Sequence, residues 1–201
     1  MTKKHEINER MKKSCVNYIE QLQNKHSKLL TLRVDFGYMK EYGQEISLDE
    51  HKKDVKHLLD NRRGKPSLFE NLVGYVMKFE HATEKGPHAH ALLLYDGQKV
   101  KKDAHLAGKI GEYWEDVITK GRGVAHNCNQ KNDYPRSGLG MIDHTDEAKK
   151  SFLINDALFY MLKNEQSIDG VKQTGRERSF VKGVIPKERS AAGRPRLKNA
   201  K

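Results

Sequence analysis

Hydrophobic and polar residues alternate most clearly in the stretch from residue 28 to residue 36. Leucine, valine and phenylalanine occupy every second position from residue 30 to residue 36, and Thr31, Arg33 and Asp35 stand between them. A period of two is typical of a β-strand that buries one of its faces. The pattern therefore predicts a first strand with one apolar side and one polar side.

Two further apolar runs, at residues 68–80 and 89–94, predict a β-hairpin. The first run is rich in valine and aromatic residues, which favour strands. The second run is bounded by Gly86-Pro87 and by Asp96-Gly97, which are typical of turns. Because the loop between the runs is short, we expect Glu80 near the tip of the hairpin, beside the start of the second strand.

Helical spacing of apolar residues predicts helices at residues 5–26, 47–62, 103–119 and 146–164. Ser47 followed by Glu50 is the pattern of a helix N-cap with a capping box. Residues 120–138 are rich in glycine, asparagine and basic side chains, so this stretch predicts an exposed loop or an irregular hairpin. A short strand is expected at residues 139–143.

Together these elements predict an α+β fold with a central antiparallel sheet of ferredoxin-like (RRM-like) type. We expect the helices to pack on one face of the sheet and the functional side chains to lie on the other. The predicted units are an N-terminal helix at residues 1–27, a central domain at 28–166 and a tail at 167–201. The tail is basic and poor in apolar residues, which is typical of a flexible segment.

The charge of the chain narrows the choice of partners. Lys and Arg number 38 against 27 Asp and Glu, and the formal net charge is +11. This balance favours a polyanion, nucleic acid first and an anionic membrane surface second. No apolar run approaches the roughly 20 residues that span a bilayer, and the first residues lack the apolar region of a signal peptide, so we expect an intracellular protein without a membrane segment. Cys15 and Cys128 are far apart and predict neither a disulfide framework nor a zinc knuckle.

The start of the second hairpin strand carries a candidate metal site. His88 and His90 are two residues apart, so in a strand their side chains leave the same face. With Glu80 at the end of the preceding strand they make a possible set of three ligands. Such a set suits Mg²⁺ or Mn²⁺ with positions left open for phosphate oxygens, and Zn²⁺ accepts the same residues. The alternative is a pair of polar histidines at a strand end beside a solvated glutamate.

The last predicted helix carries a candidate nucleophile. Tyr160 and Lys163 are three residues apart and would share one face of that helix. A tyrosine oxygen can attack phosphorus when a metal ion polarises the phosphoryl oxygens and a cation stabilises the developing charge. The alternative is an ordinary packed helix surface.

These motifs together resemble the HUH endonucleases of rolling-circle replication. The likeness rests on Gly86-Pro87-His88-Ala89-His90 before an apolar strand, on Glu80 eight residues upstream of His88, and on Tyr160-x-x-Lys163. Within that superfamily the chain is similar to the replication-initiator domains of filamentous phages and related prophage proteins. Residues 110–114, 119–123 and 127–129 add to the likeness, which covers roughly residues 28–166. Ala89 is smaller than the bulky residue often found between the two histidines.

The resemblance implies a reaction. Glu80, His88 and His90 would hold a divalent ion at the scissile phosphate of single-stranded or hairpin origin DNA. Tyr160 would attack, giving a 5′-phosphotyrosine link and a free 3′-hydroxyl for a host polymerase, and Lys163 would steady the charge. Phe159 precedes Tyr160, so the pattern is that of one-tyrosine enzymes. The chain has no phosphate-binding loop for ATP, so a host helicase would be needed, in the cytoplasm of a bacterial host.

Scattered cations are the candidate DNA contacts. They are Arg33, Lys120, Arg122 and Arg136, together with Arg194 and Arg196 in a Gly-Arg-Pro-Arg segment that resembles the core of an AT-hook. A merely solvated tail is the alternative for the last two. Two other functions stay open: a noncatalytic DNA-binding protein, such as a repressor or an origin-recognition factor, and a nickase that interferes with the DNA of another element.

Overall fold

The computed structural model describes residues 9–130, 138–163, 168–171 and 178–185, which form one antiparallel sheet and the helices around it. Within these residues the strands are β1 (Lys28–Tyr38), β2 (Leu72–Ala82), β3 (Gly86–Asp96), β4 (Gly123–Asn127), β5 (Gly140–Asp143) and β6 (Phe180–Lys182). The helices are α1 (Glu9–Lys25), α2 (Lys40–Gly43), α3 (Leu48–Asp60), α4 (Pro66–Phe69), α5 (Asp103–Tyr113), α6 (Glu147–Phe152) and α7 (Phe159–Leu162). One π-helical turn, Trp114–Ile118, continues α5, and a second, Leu153–Leu158, joins α6 to α7.

The strands lie in the order β4-β1-β3-β2-β6, and β5 pairs with β1 beyond the end of β4. All five pairings are antiparallel. With α3 between β1 and β2 and α5 between β3 and β4, this order is the split βαβ arrangement of ferredoxin-like folds. The predicted α+β class and central antiparallel sheet are therefore confirmed.

Alternation along β1 divides the sheet into two faces. We call the side of Leu30, Leu32, Val34 and Phe36 the back face, and the side of Leu29, Thr31, Arg33 and Asp35 the front face. The back face is covered by α3, α4 and α5, whose apolar side chains join those of the strands in one buried cluster. The predicted N-cap of α3 is confirmed, because the Ser47 side chain accepts a hydrogen bond from the backbone N–H of Glu50.

Helices also cover half of the front face, so the prediction that they pack on one face is wrong. Leu29, Val76, Leu92 and Leu94 make this half of the front face apolar. Exposing that surface to water would cost free energy, so it needs a cover of its own. Helix α1 and the α6–α7 segment supply it, through buried residues that include Tyr18, Ile19, Leu22, Leu158 and Met161. None of the described helices covers the other half of the front face, which we call the open half.

Three short elements differ from the sequence predictions. Strand β4 occupies part of the stretch predicted as an exposed loop or an irregular hairpin. Helix α4 overlaps the start of the run predicted as a strand, and β6 lies in the predicted flexible tail. Strands β4 and β6 are short and lie at the edges of the sheet, where β4 pairs with β1 and β6 pairs with β2. This pairing stabilises them although their sequences show little alternation of apolar and polar residues. Both cysteines are buried and free. In the described part of the chain, no helix has the length and apolar character needed to cross a membrane.

Candidate active site

The register of the central strands brings the predicted metal ligands together. In the β2–β3 hairpin Glu80 lies directly opposite His88, and Lys78 lies opposite His90. On the other side of β3, His90 lies opposite Asp35 of β1. Directly opposed residues of paired strands share a face. These five side chains therefore lie on the open half of the front face.

The turn of the hairpin depends on Gly86. Its φ of 69° is in the left-handed region, which residues other than glycine rarely adopt. A Cβ atom at this position would also clash with the backbone carbonyl of Gly43 in α2. Helix α2 therefore approaches the start of β3 closely, and the Gly86 carbonyl oxygen lies 3.3 Å from Nδ1 of His88.

Glu80, His88 and His90 form a compact group of possible ligands. Oε2 of Glu80 lies 3.5 Å from Nε2 of His88 and 3.4 Å from Nε2 of His90, and the ligand atoms all lie within 4.8 Å of one another. Glu80 is 6% exposed and His90 is 8% exposed. Two imidazoles and one carboxylate on neighbouring rigid strands are a donor set that divalent ions accept. These residues can hold such an ion.

The partners of the buried groups determine their charges. Burial disfavours the charged form of Glu80, but hydrogen bonds from His88 and His90 outweigh it and lower the Glu80 pKa to about 2. Burial also disfavours a charged His90, yet its hydrogen bonds to Asp35 and Glu80 raise its pKa to about 9. The Asp35 pKa is lowered, because His90 and Arg33 offset the effect of burial. His90 is therefore protonated between two carboxylates at neutral pH.

Arg33 and Asp35 lie beside this group on β1. Oδ1 of Asp35 is 2.8 Å from Nδ1 of His90, and Oδ2 is 3.2 Å from Nη2 of Arg33. The backbone N–H of Arg33 donates to the side-chain oxygen of Asn129 at 2.8 Å, and the Asn129 amide donates to the carbonyl of Thr31 at 3.0 Å. Asn129 thus makes two hydrogen bonds to the backbone of β1, between the segment that pairs with β5 and the segment that pairs with β4. These bonds hold the backbone at Arg33.

Tyr160 reaches the site from α7. Its neighbours Met161 and Leu162 are buried, while Tyr160 is 49% exposed. The ring centroid of Tyr160 lies 5.8 Å from that of His90, and Cζ of Arg33 lies 4.4 Å from the Tyr160 centroid. The predicted nucleophile and the predicted metal ligands are therefore neighbours in space, although about 70 to 80 residues separate them in sequence.

Lys163 lies near Tyr160, but not on a shared helix face as predicted. Helix α7 ends at Leu162, and Lys163 has an extended backbone with ψ of 141°. Its Nζ atom still lies 5.5 Å from the centroid of the Tyr160 ring. Nζ of Lys78 donates to the Lys163 carbonyl at 3.4 Å, which ties the end of α7 to β2.

An open cavity of about 960 Å³ connects these groups. Its wall includes Glu80, His88, His90, Tyr160 and Lys163. The cavity continues past Gly37 to apolar, basic and acidic side chains of α2, β4 and the hairpin loop, the acidic ones being Glu41 and Glu84. The basic ones include Lys40 and Lys85. Gly37 of β1 lies opposite Val124 of β4. Because Gly37 has no side chain, β1 places no side chain between His88 and Val124 at this position.

The predicted DNA-contacting cations are dispersed. Arg33 is 9% exposed and is paired with Asp35. Arg122 pairs with Glu50 at 3.0 Å, and Lys120 is exposed in the turn before β4, with φ of 55°. Arg136, Arg194 and Arg196 lie outside the described residues.

Lys40 and Lys85 of the cavity wall were not predicted as site residues from the sequence, and neither were Lys78 and His126. Lys78 is two residues before Glu80 in β2, so alternation alone gives it the same face. His126 lies opposite Asp35 in β4 and lines the cavity. No local signal identified His126, because its strand lies in the stretch predicted as an exposed loop or an irregular hairpin.

The chain matches the model of the YagK/YfjJ C-terminal domain family over residues 1–180, and it belongs to that family. The matched region contains α1 and reaches the first residue of β6, so it extends beyond residues 28–166 at both ends. Neither a search of curated proteins nor a search of solved structures gave a match.

Proposed function

We propose that this member of the YagK/YfjJ C-terminal domain family nicks single-stranded DNA and thereby initiates rolling-circle replication of a phage, plasmid or integrated element. One observation carries the proposal. The three possible ligand atoms lie within 4.8 Å of one another, in the same cavity as an exposed tyrosine whose ring centroid is 5.8 Å from that of His90. A nucleophile beside a cation site is the arrangement that metal-assisted phosphoryl transfer requires.

Glu80, His88 and His90 would hold the divalent ion. When bound, the ion would act as a Lewis acid on a non-bridging oxygen of the scissile phosphate. Mg²⁺ or Mn²⁺ is the expected ion, because a ligand set of three leaves positions open for phosphate oxygens. Zn²⁺ is the alternative that the same residues accept.

Tyr160 would be the nucleophile of the nicking step. Its side-chain oxygen forms a bond to phosphorus, and the bond from phosphorus to the 3′ oxygen of the preceding nucleotide breaks. The proton lost by Tyr160 balances the proton gained by the 3′ oxygen, with water as the carrier. The products are a 5′-phosphotyrosine link and a free 3′-hydroxyl, which a host polymerase would extend behind a host helicase.

Basic side chains would hold the substrate. Lys163 lies beside Tyr160, and its ammonium would contact the phosphate while charge develops on it. Lys40 and Lys85 line the same cavity and would bind neighbouring phosphates of the strand. The net charge of +11 supplies the long-range attraction to DNA.

A covalent adduct tests the proposal. The protein is incubated with Mn²⁺ and single-stranded oligonucleotides that tile the element's own DNA, and the products are separated on a denaturing protein gel. We expect a shifted band with wild-type protein and none with Tyr160→Phe. Tyr113→Phe is the matched control, because the Tyr113 hydroxyl bonds Asn61 outside the cavity and the ring is kept. Parallel reactions with Mg²⁺, Zn²⁺ or a chelator identify the ion.

The other outcomes separate the remaining functions. Tight binding of DNA without an adduct for any oligonucleotide would contradict the proposal and favour a noncatalytic repressor or origin-recognition factor. An adduct that forms only with DNA of another element would favour an interfering nickase with the same chemistry. An adduct that persists in Tyr160→Phe would show that another residue is the nucleophile.

A further inference from the structure

Arg33 and Asp35 connect the two parts of the site. Asp35 lies 2.8 Å from Nδ1 of His90, and Arg33 lies 3.2 Å from the second oxygen of Asp35. On its other side, the Arg33 guanidinium carbon lies 4.4 Å from the centroid of the Tyr160 ring. An unbroken series of contacts thus runs from the possible metal ligand His90 to the possible nucleophile Tyr160.

The backbone holds both residues in place. They are two positions apart on β1, so both side chains project from the front face. On the back face of the same strand, Leu32 and Val34 are fully buried in the core. Asn129 bonds the backbone N–H of Arg33 from the side. The pair therefore has a rigid support, which a site that aligns two reacting groups needs.

We infer that Arg33 and Asp35 are positioning residues, which set the orientation of His90 and Tyr160 relative to each other. This inference rests on the proposed function. Neither residue belongs to the group of possible ligands, and neither reacts. Their contribution is geometric: they act through the two side chains that do.

Asp35 acts on His90. A neutral histidine carries its proton on one ring nitrogen, and the hydrogen bond at that nitrogen decides which one. Asp35 accepts from Nδ1–H. Nε2, which faces Glu80, is therefore the nitrogen whose lone pair would bind the ion once its proton is lost. Carboxylates that orient ligand histidines in this way typically contribute 10–100-fold in metal affinity.

Arg33 acts on Tyr160. A guanidinium is planar, so it can pair with a carboxylate along its edge and contact an aromatic ring with its face. Nε and Nη2 of Arg33 lie 3.3 and 3.2 Å from the two oxygens of Asp35, while Cζ lies over the Tyr160 ring, 4.4 Å from its centroid. A lysine keeps the charge but has no planar face. The sequence had predicted Arg33 as a DNA contact, and its pairing with Asp35 favours the positioning role.

The first test measures Mn²⁺ affinity of the full chain without DNA, so it does not depend on nicking. We expect Asp35→Asn to weaken the pH-independent affinity, obtained from titrations at several pH values, about tenfold or more. Asp143→Asn is the matched control, because Asp143 also has a histidine and a cation as partners, His144 and Lys28, at the opposite end of β1. An affinity within about twofold of wild type would overturn the role of Asp35. If Asp35→Asn does not fold, Asp35→Glu should show the same loss, because its carboxylate is displaced.

The second test separates positioning from DNA contact. In Arg33→Lys we expect the nicking rate at saturating DNA to fall about tenfold, with the half-saturating DNA concentration nearly unchanged. Arg62→Lys is the control, because Arg62 lies after α3 and outside the cavity. The opposite split, weaker DNA binding with an unchanged maximal rate, would overturn the inference and return Arg33 to the DNA contacts.

A third measurement keeps the Arg33 inference testable if the protein does not nick DNA. The ring resonances of Tyr160 are identified by NMR through their absence in Tyr160→Phe. We expect Arg33→Lys to shift them and Arg62→Lys to leave them in place. If the proposed function is wrong, no adduct forms, but Arg33→Lys still shifts the Tyr160 resonances. If Arg33→Lys leaves those resonances unshifted, only the positioning role of Arg33 is contradicted.

Discussion

Two buried histidines on opposite sides of the sheet have pKa values that are shifted in opposite directions. His51 of α3 lies behind the sheet and is 0% exposed. The ring centroids of Tyr38, Phe79 and Trp114 lie 5.5 to 5.8 Å from the centroid of the His51 ring. Burial lowers the His51 pKa to about 3. His90 on the front face is nearly as buried, yet Asp35 and Glu80 outweigh burial and raise its pKa to about 9.

The difference shows that burial alone does not determine what a histidine can do. On the back face, aromatic neighbours offer no charge, so the neutral imidazole serves packing. On the front face, hydrogen bonds to carboxylates orient the imidazole, and a fixed orientation is what ligation requires once the proton is lost. Each central strand has side chains on both faces. The buried core on the back face therefore also holds in place the strands that carry the site on the front face.

The largest expected effect removes a ligand from the front face. In His90→Gln we expect nicking to fall by about 10³-fold or more, because the ion loses a ligand and Tyr160 loses a neighbour. Nonspecific DNA binding should change little, since scattered phosphate contacts supply most of it. Nicking assays and salt titrations of DNA affinity measure the two quantities. An equal loss of both would contradict the separation of chemistry from binding.

The matching change on the back face should affect stability instead of chemistry. Leu32 is fully buried, and Leu32→Ala should lower the free energy of unfolding by about 2–5 kcal/mol. Urea unfolding measures this loss. Nicking per folded molecule should stay near the wild-type value, provided that the temperature keeps the variant folded. A large loss of rate in the folded variant would show that the two faces are not separable.

Acid should destabilise the protein through His51. Above pH 6.5 His51 is neutral in the folded and the unfolded chain, so it adds no pH dependence. Below that pH the unfolded chain binds a proton that the folded chain excludes, and stability falls as the pH falls toward 3. Between pH 7.5 and 5.0 we expect wild type to lose about 2 kcal/mol more than His51→Leu. Parallel losses in urea unfolding at both pH values would contradict this.

Metal affinity should rise with pH through His90. The pKa of about 9 means that His90 must lose a proton before Nε2 can bind an ion. Below that pKa we expect Mn²⁺ affinity to fall by up to about tenfold per pH unit, or about 1.4 kcal/mol. Titrations at pH 6.5, 7.5 and 8.5 measure the slope. A flat profile would indicate that His90 is not a ligand.

The local parts of the site could be predicted from the sequence. Alternation identified the polar side of β1, and the turn residues around the hairpin brought Glu80 beside His88. The cap at Ser47 was also predicted and is confirmed. Each of these features depends on residues close in sequence, where backbone geometry leaves few choices.

Other features were beyond sequence patterns. A period of two separates the faces of a strand but does not reveal what covers each face, so helices on both faces were missed. The end of α7 at Leu162 was missed, because the pattern of apolar residues does not register the π-helical turn before it. Strand β4 was missed, because an edge strand forms through pairing with its neighbour more than through its own composition.

The sequence by itself determined the hairpin, the shared face of Glu80, His88 and His90, and the basic character of the chain. Only the tertiary structure decided that Tyr160 lies against His90 and that Arg33 pairs with Asp35 beneath it. The physical reason is that α6–α7 must cover the apolar half of the front face. Burying Leu158 and Met161 there leaves Tyr160 at the boundary with the polar half, a position that no local pattern encodes.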